Sequence, residues 1–92
     1  MNIQYMIDIS TAHIPEHTAK ALEEKSITEL VYESWSESWA DYGWIIWIGA
    51  DYADEEHKEL NDIIKYCQEH GIDYLKLDCD ADVVEEFPTF EW

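Results

Sequence analysis

The chain has 92 residues, with 22 Asp and Glu against five Lys and no Arg, and its formal net charge is −17 at pH 7. Apolar residues make up 47% of it, including five Trp and six Tyr, which is enough for one folded core and excludes a disordered acidic tail. Because the lysines are scattered among acids, direct binding to nucleic acid or to an anionic membrane is disfavoured. Self-repulsion of this size destabilises a compact chain, so the imbalance indicates a basic partner.

The sequence carries no pattern typical of export or of a membrane span. No basic segment precedes an apolar run near residue 1, so we expect no signal peptide. The longest apolar stretch, residues 44–50, is too short to cross a bilayer. Two cysteines, Cys67 and Cys79, do not indicate a disulfide framework. We therefore expect a reduced, cytoplasmic protein without a cofactor.

The first part of the chain predicts a strand, a helix and a second strand. Residues 3–9 alternate between apolar and other side chains, as a half-buried strand does. Pro15 suits the first turn of a helix, because it has no N–H to leave unpaired there, and this helix is expected to end near residue 24. Residues 27–34 favour a strand, with a helix as the alternative.

The strongest strand signal lies in the middle of the chain. Residues 35–41 are predicted to form a connecting loop. Residues 42–49 read Tyr-Gly-Trp-Ile-Ile-Trp-Ile-Gly, which is apolar on both faces and rich in β-branched and aromatic side chains. Such a strand belongs in the middle of a sheet.

The last part predicts a helix, a strand and a packed tail. Asp54 can cap a helix over residues 55–70, and Gly71 is a suitable stop for it. The buried stripe of this helix follows the spacing i, i+3, i+4, i+7 through Leu60, Ile63, Ile64 and Cys67. Residues 72–77 predict the last strand, and the aromatic side chains of residues 78–92 are expected to pack on the body.

These elements predict a single α+β domain over residues 1–92. The order strand–helix–strand–strand–helix–strand is that of a ferredoxin-like domain. We expect a four-stranded antiparallel sheet with both helices on one face, and residues 3–9 and 42–49 as the central strands.

Four short motifs carry a resemblance to a known family. They are Ser-Thr-Ala-His at residues 10–13, Tyr-Gly-Trp at 42–44, Asp-Cys-Asp at 78–80, and Phe-Pro-Thr-Phe-Glu-Trp at 87–92. The chain resembles a small α/β domain family without assigned function that occurs in bacterial, plasmid and phage genomes. The resemblance implies a stand-alone domain, and it implies no catalytic residue. In acidity alone the chain is also similar to anti-restriction and anti-CRISPR proteins that imitate DNA.

The acids are concentrated in three groups, and rows of carboxylates can stand in for the phosphates of a duplex. We expect the chain to block, without catalysis, the phosphate-binding surface of a nucleic-acid-handling host-defence protein. For any single acid, a solvated surface role is the better interpretation. The expected partner-binding residues are Asp51, Asp54, Glu55, Glu56, Glu59 and Asp62; Asp78, Asp80, Asp82, Glu85 and Glu86; and Glu33, Glu37 and Asp41.

A calcium loop is not expected after the last strand. Residues 78–82, Asp-Cys-Asp-Ala-Asp, resemble the start of an EF-hand loop. Val83 stands where the sharp turn needs Gly, and Thr89 stands where the twelfth position needs a bidentate Glu. We therefore predict no dedicated metal site there.

Zinc and acid–base sites have equally little support. His13 and His17 are four residues apart, but the pattern His-Glu-x-x-His is absent, and hydrogen bonding near the helix start is the preferred interpretation for His13. Cys67 is interpreted as a core residue. Asp8 and His13 would be the best candidates for an acid–base pair, and we expect no enzymatic activity.

An alternative function rests on aromatic residues. Trp35, Trp39 and Trp47 are candidates for a hydrophobic interface, although they could equally complete the core. In that case the chain would be a small housekeeping or regulatory domain that binds a protein or small ligand through an exposed sheet face. Exposure of Trp47 would make self-association plausible, so both a monomer and a homodimer are compatible with the sequence.

Overall fold

A computed structural model describes residues 3–24, 31–38, 41–49, 53 and 55–92. The described strands are β1 (Met6–Ser10), β2 (Val31–Ser38), β3 (Asp41–Trp47) and β4 (Tyr74–Asp78). The described α-helices are α1 (Glu16–Glu23) and α2 (Lys58–Glu69). Short 3-10 turns at Thr11–His13 and Glu55–His57 precede the two helices. Among the helices described, none is long and apolar enough to cross a membrane.

The four strands form one mixed sheet in the order β1-β4-β3-β2. β1 runs parallel to β4, whereas the β3–β4 and β2–β3 pairs are antiparallel. The expectation of four strands and two helices is therefore confirmed, and the ferredoxin-like antiparallel sheet is wrong.

The error concerns which strands are central. β3 is central, as predicted, but β1 lies at an edge and β4 takes the place between them. The apolar content of residues 3–9 overstates their burial, because Ile3, Tyr5 and Met6 are exposed. In this strand Ile9 is fully buried and Ile7 is partly buried against the core.

The two faces of the sheet differ sharply in burial. Side chains of a strand alternate between faces, and the register places Ile9, Leu77 and Trp44 in one row across the sheet. That row and the parallel row through Leu75 and Ile46 are buried. The core that they form also contains Ala19, Leu22, Leu60, Ile63, Ile64 and Cys67 from the two helices. Both helices therefore pack on this face, which we call the helix-covered face.

The predicted loop at residues 35–41 is wrong over most of its length. β2 continues to Ser38, and β3 begins at Asp41. The alternation of Ser and Glu with Tyr and Trp suits an edge strand that has one face in water. Register shifts between Val31 and Glu33, and between Ser36 and Ser38, interrupt its pairing with β3. The start of the predicted strand, residues 27–30, lies outside the described residues.

Helix α2 follows the predicted stripe. Leu60, Ile63, Ile64 and Cys67 are all buried, and each large apolar side chain contributes about 1.5–3 kcal/mol on leaving water. Gly71 has φ 68°, a conformation that glycine adopts without strain. The Ile72 N–H donates to the Cys67 carbonyl at 2.9 Å, which ends the helix as predicted. The predicted cap, Asp54, lies outside the described residues.

The tail after β4 packs on the segment between β1 and α1, as expected for its aromatic residues. The Phe90 N–H donates to the Ala12 carbonyl at 2.8 Å, and the Trp92 Nε1–H donates to the Ile14 carbonyl at 2.9 Å. The ring of Phe87 meets Tyr66 edge-on at 5.2 Å between ring centroids. The acids of the tail are therefore held near the carboxyl end of β1.

Candidate interaction surfaces

The strand directions place the last residues of β1, β2 and β4 and the first residues of β3 at one end of the sheet. Ser10 and Asp78, the last residues of β1 and β4, are register partners. Asp78 also pairs with Gly43 near the start of β3, and Asp41 pairs with Ser38 at the end of β2. Residues that follow β1 and β4 or that precede β3 therefore lie at one end of the molecule.

Both helices begin at this same end. The Nε2–H of His17, in the first turn of α1, donates to the Glu56 carbonyl at 2.7 Å. Thr18 Oγ1 and His57 Nδ1, buried between the two helix starts, lie 2.9 Å apart. The carboxylates of Glu16, Glu55 and Glu56, all exposed, thus join those at the strand ends.

The tail adds more carboxylates to this end. The Ser10 N–H donates to the Asp82 carbonyl at 3.1 Å, and the Val84 N–H donates to His13 Nε2 at 3.0 Å. Glu85 and Glu86 follow directly and are exposed. We call the resulting surface the acidic end; its members are Glu16, Asp41, Glu55, Glu56, Asp78, Asp80, Asp82, Glu85 and Glu86.

Sequence reasoning named all of these acids except Glu16. Glu16 was missed because it is isolated in the sequence; its proximity depends on the contact between the two helix starts. Three of the described lysines lie among the acids: Lys20, whose Nζ is 3.4 Å from Glu16 Oε1, Lys58 at the start of α2, and Lys76, whose Nζ is 3.6 Å from Asp78 Oδ2. The acidic end therefore retains a large excess of negative charge.

Other predicted acids lie elsewhere on the surface. Glu33 is in the middle of β2, opposite Ile45. Glu59, in the first turn of α2, is half-buried and adjoins the acidic end, and Asp62 is exposed one turn further along the helix. Asp51, Asp54 and the side chain of Glu37 lie outside the described part of the chain.

The Asp-Cys-Asp segment after β4 is a tight turn. The Asp78 carboxylate accepts the Asp80 N–H at 3.0 Å and lies 3.6 Å from Lys76 Nζ. Among the described residues, the side chains of Asp78, Cys79 and Asp80 have candidate ligand atoms within 4.8 Å of one another. The Tyr42 N–H donates to Cys79 Sγ at 3.3 Å, so this thiol helps to join the turn to β3.

His13 is used to hold the tail. It is fully buried, and its Nδ1–H donates to the Pro88 carbonyl at 2.9 Å while its Nε2 accepts the Val84 N–H. Both ring nitrogens are therefore engaged by backbone groups of the tail. Asp8 lies on the opposite, uncovered face of β1 and is exposed. The hydrogen bonds of His13 join it to the tail and not to the helix start.

Cys67 is a core thiol on α2. It is fully buried, and this burial raises its pKa from 9.0 to about 11. A neutral thiol among aliphatic side chains behaves as a small apolar residue, which agrees with its interpretation from the sequence.

The second sheet face is left uncovered and carries aromatic side chains. Met6, Tyr74 and Trp47 form one row across it, in register from β1 to β3. Trp47 is 52% exposed and Tyr32 is 64% exposed. The rings of Tyr32 and Tyr74 approach to 5.1 Å between centroids. We call this surface, with Met6, Tyr32, Tyr74, Trp47 and Trp35, the aromatic face.

Trp35 is fixed on this face by three contacts. Its ring lies over Gly43, where an added Cβ would collide with the ring and with the Leu77 carbonyl. Its Nε1–H donates to Asp41 Oδ1 at 3.0 Å, and Lys76 Nζ lies 5.3 Å from the ring centroid. Trp35 is half-buried, Trp47 is exposed, and Trp39 lies outside the described residues.

A cleft of about 940 Å³ separates α1 from β2. Sequence reasoning missed it, because it assigned part of β2 to a loop. A partial signal was present in the polar alternation of residues 31–38, which is typical of an edge strand.

Residues 6–92 match a family described as Family of unknown function (DUF5983) C-terminal domain. No curated protein and no solved structure matches the chain significantly.

Proposed function

The chain belongs to this family, whose function is unknown, and from its surface we propose that it is a non-catalytic acidic inhibitor. It would occupy the phosphate-binding surface of a nucleic-acid-handling protein of host defence, such as a restriction or CRISPR nuclease. It would act by competition with nucleic acid. The proposal also takes the chain to be cytoplasmic and to come from a phage or another mobile element.

The acidic end carries this proposal. Strand polarity, the two helix starts and the anchored tail bring together carboxylates that are far apart in sequence. Such a concentration of like charge costs stability in the free protein. A basic groove would offset that repulsion, and its field would accelerate association at low salt.

The inhibitor needs no direct contact with nucleic acid. A groove lined with Lys and Arg gains affinity for a duplex largely by releasing ions from the phosphates. Carboxylates presented by a compact body can use the same basic side chains. The partner is therefore defined by its charge and by its ability to bind phosphates.

The test compares two charge-reversed variants in DNA-cleavage assays with a panel of purified restriction and CRISPR nucleases. The first variant changes Asp82, Glu85 and Glu86, at the acidic end, to Lys. The matched control changes Glu23, Glu24 and Glu69 to Lys; these are exposed residues at the last turns of the helices. Each variant gains six charges, so both move from −17 to −11.

We expect the acidic-end variant to lose inhibition by about tenfold or more, whereas the control stays within about threefold of the parent. Circular dichroism and urea unfolding establish that both variants are folded. Equal inhibition by the parent and a folded acidic-end variant would contradict the proposal. So would equal losses in the two variants, because net charge alone would then be responsible.

The aromatic face supports a second candidate function. Met6, Tyr32 and Trp47 expose large apolar surfaces on one uncovered side of the sheet, and such patches mark interfaces more often than isolated apolar residues do. A housekeeping or regulatory domain would bind a protein or small ligand there, as a monomer or homodimer. Its binding would be insensitive to salt and would be lost in Trp47→Ser, the reverse of the behaviour expected from an acidic inhibitor.

A further inference from the structure

The cleft between α1 and β2 has an uncommon wall. Six consecutive residues of β2, Val31 to Ser36, line it. Neighbouring residues of a strand point to opposite faces, so side chains alone cannot place all six in one cleft. The cleft therefore runs along the backbone edge of β2.

This edge is the outer edge of the sheet. Among the described residues β2 pairs with β3 on one side, and it is the last strand in the sheet order. An edge strand presents backbone N–H and C=O groups that a further strand can use. Between the two register shifts, Glu33 to Ser36 pair with β3 in unbroken register, which leaves a regular stretch of four residues for such pairing.

The rest of the cleft is suited to side chains of an added strand. Its accessible apolar lining includes half-buried Tyr42 and exposed Trp92, and the buried side chains of Leu22 and Trp44 also line it. Lys20 and Glu23 of α1 also line the cleft, and Glu33 is exposed on the other face of β2, which carries Trp35. An occupant with alternating apolar and basic side chains would match both surfaces.

We propose that the cleft binds an extended basic peptide segment of a partner protein, which adds to β2 as a fifth strand next to α1. Main-chain hydrogen bonds supply affinity in this mode of recognition, and pockets for alternate side chains supply specificity. Apolar side chains of the peptide face the helix-covered side of the sheet, where Tyr42 and Trp92 line the cleft, and its basic side chains face Glu33 on the other side.

The negative charge of the chain favours a basic peptide over a second copy of the chain as the occupant. Pairing of two β2 edges would bring Glu33 of one copy towards the same strand of another, with a net charge of −17 on each. Like charges on paired strands destabilise the pair. A basic peptide removes that repulsion.

The probe is a fluorescein-labelled heptapeptide, Lys-Val-Lys-Val-Lys-Val-Lys, with fluorescence anisotropy as the readout. Two further peptides carry N-methyl groups on alternate amides, one on the odd and one on the even positions. A strand directs alternate amides to its neighbour, so one methylated peptide should bind at least about tenfold more weakly than the parent. The other should bind within about threefold of it.

Protein variants then locate the binding site. Changing Glu33 to Lys should weaken binding by about tenfold, whereas changing Asp62 to Lys, at an exposed position on α2, should leave it within about threefold. When the peptide is bound, hydrogen exchange should slow at those alternate amides of residues 33–36 that point away from β3.

The proposal is overturned if the peptide does not bind below about 1 mM, or if both methylated peptides bind as the parent does. The second result would mean attraction by charge alone. Equal losses in the two charge-reversed variants would overturn it as well. It is independent of the acidic inhibitor, because reversal of Asp82, Glu85 and Glu86 should abolish nuclease inhibition and leave the cleft's affinity within about threefold.

Discussion

Replacement of His13 by Ala should destabilise the protein far more than a surface change does. His13 is fully buried and holds two backbone groups of the tail, Val84 N–H at 3.0 Å and Pro88 C=O at 2.9 Å. Its ring also meets Phe87 edge-on, with 5.8 Å between centroids. Two lost hydrogen bonds cost about 2–4 kcal/mol, and the cavity adds about 1 kcal/mol.

The expected loss of about 3–5 kcal/mol is a large share of the roughly 5–15 kcal/mol that stabilises a small domain. Urea unfolding followed by tryptophan fluorescence measures it. His70→Ala is the matched control: His70 is exposed, although its Nδ1–H donates to the Tyr66 carbonyl, and its loss should cost below about 1 kcal/mol. Hydrogen exchange of the Val84 and Phe90 amides should accelerate in His13→Ala, because both amides are bonded to the region around residue 13.

A His13→Ala variant that loses less than about 1 kcal/mol would refute the reasoning, because the tail would then be held by other contacts. A large loss of stability with unchanged exchange of the tail amides would refute it in another way. The tail carries five acids, at residues 80, 82, 85, 86 and 91. A folded His13→Ala variant should therefore also inhibit more weakly than the His70 control.

Four further predictions concern single residues. Burial raises the pKa of the Cys67 thiol from 9.0 to about 11 in the folded protein. The free energy of unfolding should therefore fall as pH rises from 9 to 11, more steeply in the parent than in Cys67→Ala. Urea unfolding at several pH values measures this, and equal slopes of the unfolding free energy against pH would contradict it. In native protein, a thiol reagent should modify half-buried Cys79 before buried Cys67, as peptide mapping will show. Gly43→Ala should cost about 1–3 kcal/mol, because its Cβ collides with the ring of Trp35, and an unchanged urea midpoint would refute the collision. Trp47→Ser should cost about 1–2 kcal/mol, because about half of the ring surface is withdrawn from water; a loss above about 3 kcal/mol would place the ring in the core.

Local patterns predicted the second helix most closely. The stripe from Leu60 to Cys67 and the stop at Gly71 follow from periodicity and from backbone conformation, and both are local properties. The strand signal of residues 42–49 was equally reliable, because a segment that is apolar on both faces fits only the middle of a sheet.

The sheet order could not be predicted in the same way. β1 and β4 have similar patterns, and nothing local decides which of them pairs with β3. The parallel pairing of Ile9 with Leu77 depends on how α2 returns the chain to the sheet. The pattern of residues 35–38 predicts a loop because Ser and Glu dominate it, yet an edge strand with one face in water tolerates such residues.

The acidic groups were visible in the sequence, but their convergence was not. Glu16 and Glu56 are 40 positions apart and become neighbours through the contact of His17 with the Glu56 carbonyl. Likewise Asp82 reaches the end of β1 through a single backbone hydrogen bond to Ser10. Periodicity cannot reveal contacts between elements whose order in the sheet is unknown.

The most direct test of the acidic inhibitor is the salt dependence of its affinity for an inhibited nuclease, measured by isothermal titration calorimetry with and without competing duplex DNA. We expect the affinity to fall by about tenfold or more between about 50 mM and about 200 mM salt, and DNA to displace the chain. An affinity that is unchanged over this range, or a complex that binds DNA and the chain together, would contradict competition at the phosphate-binding surface.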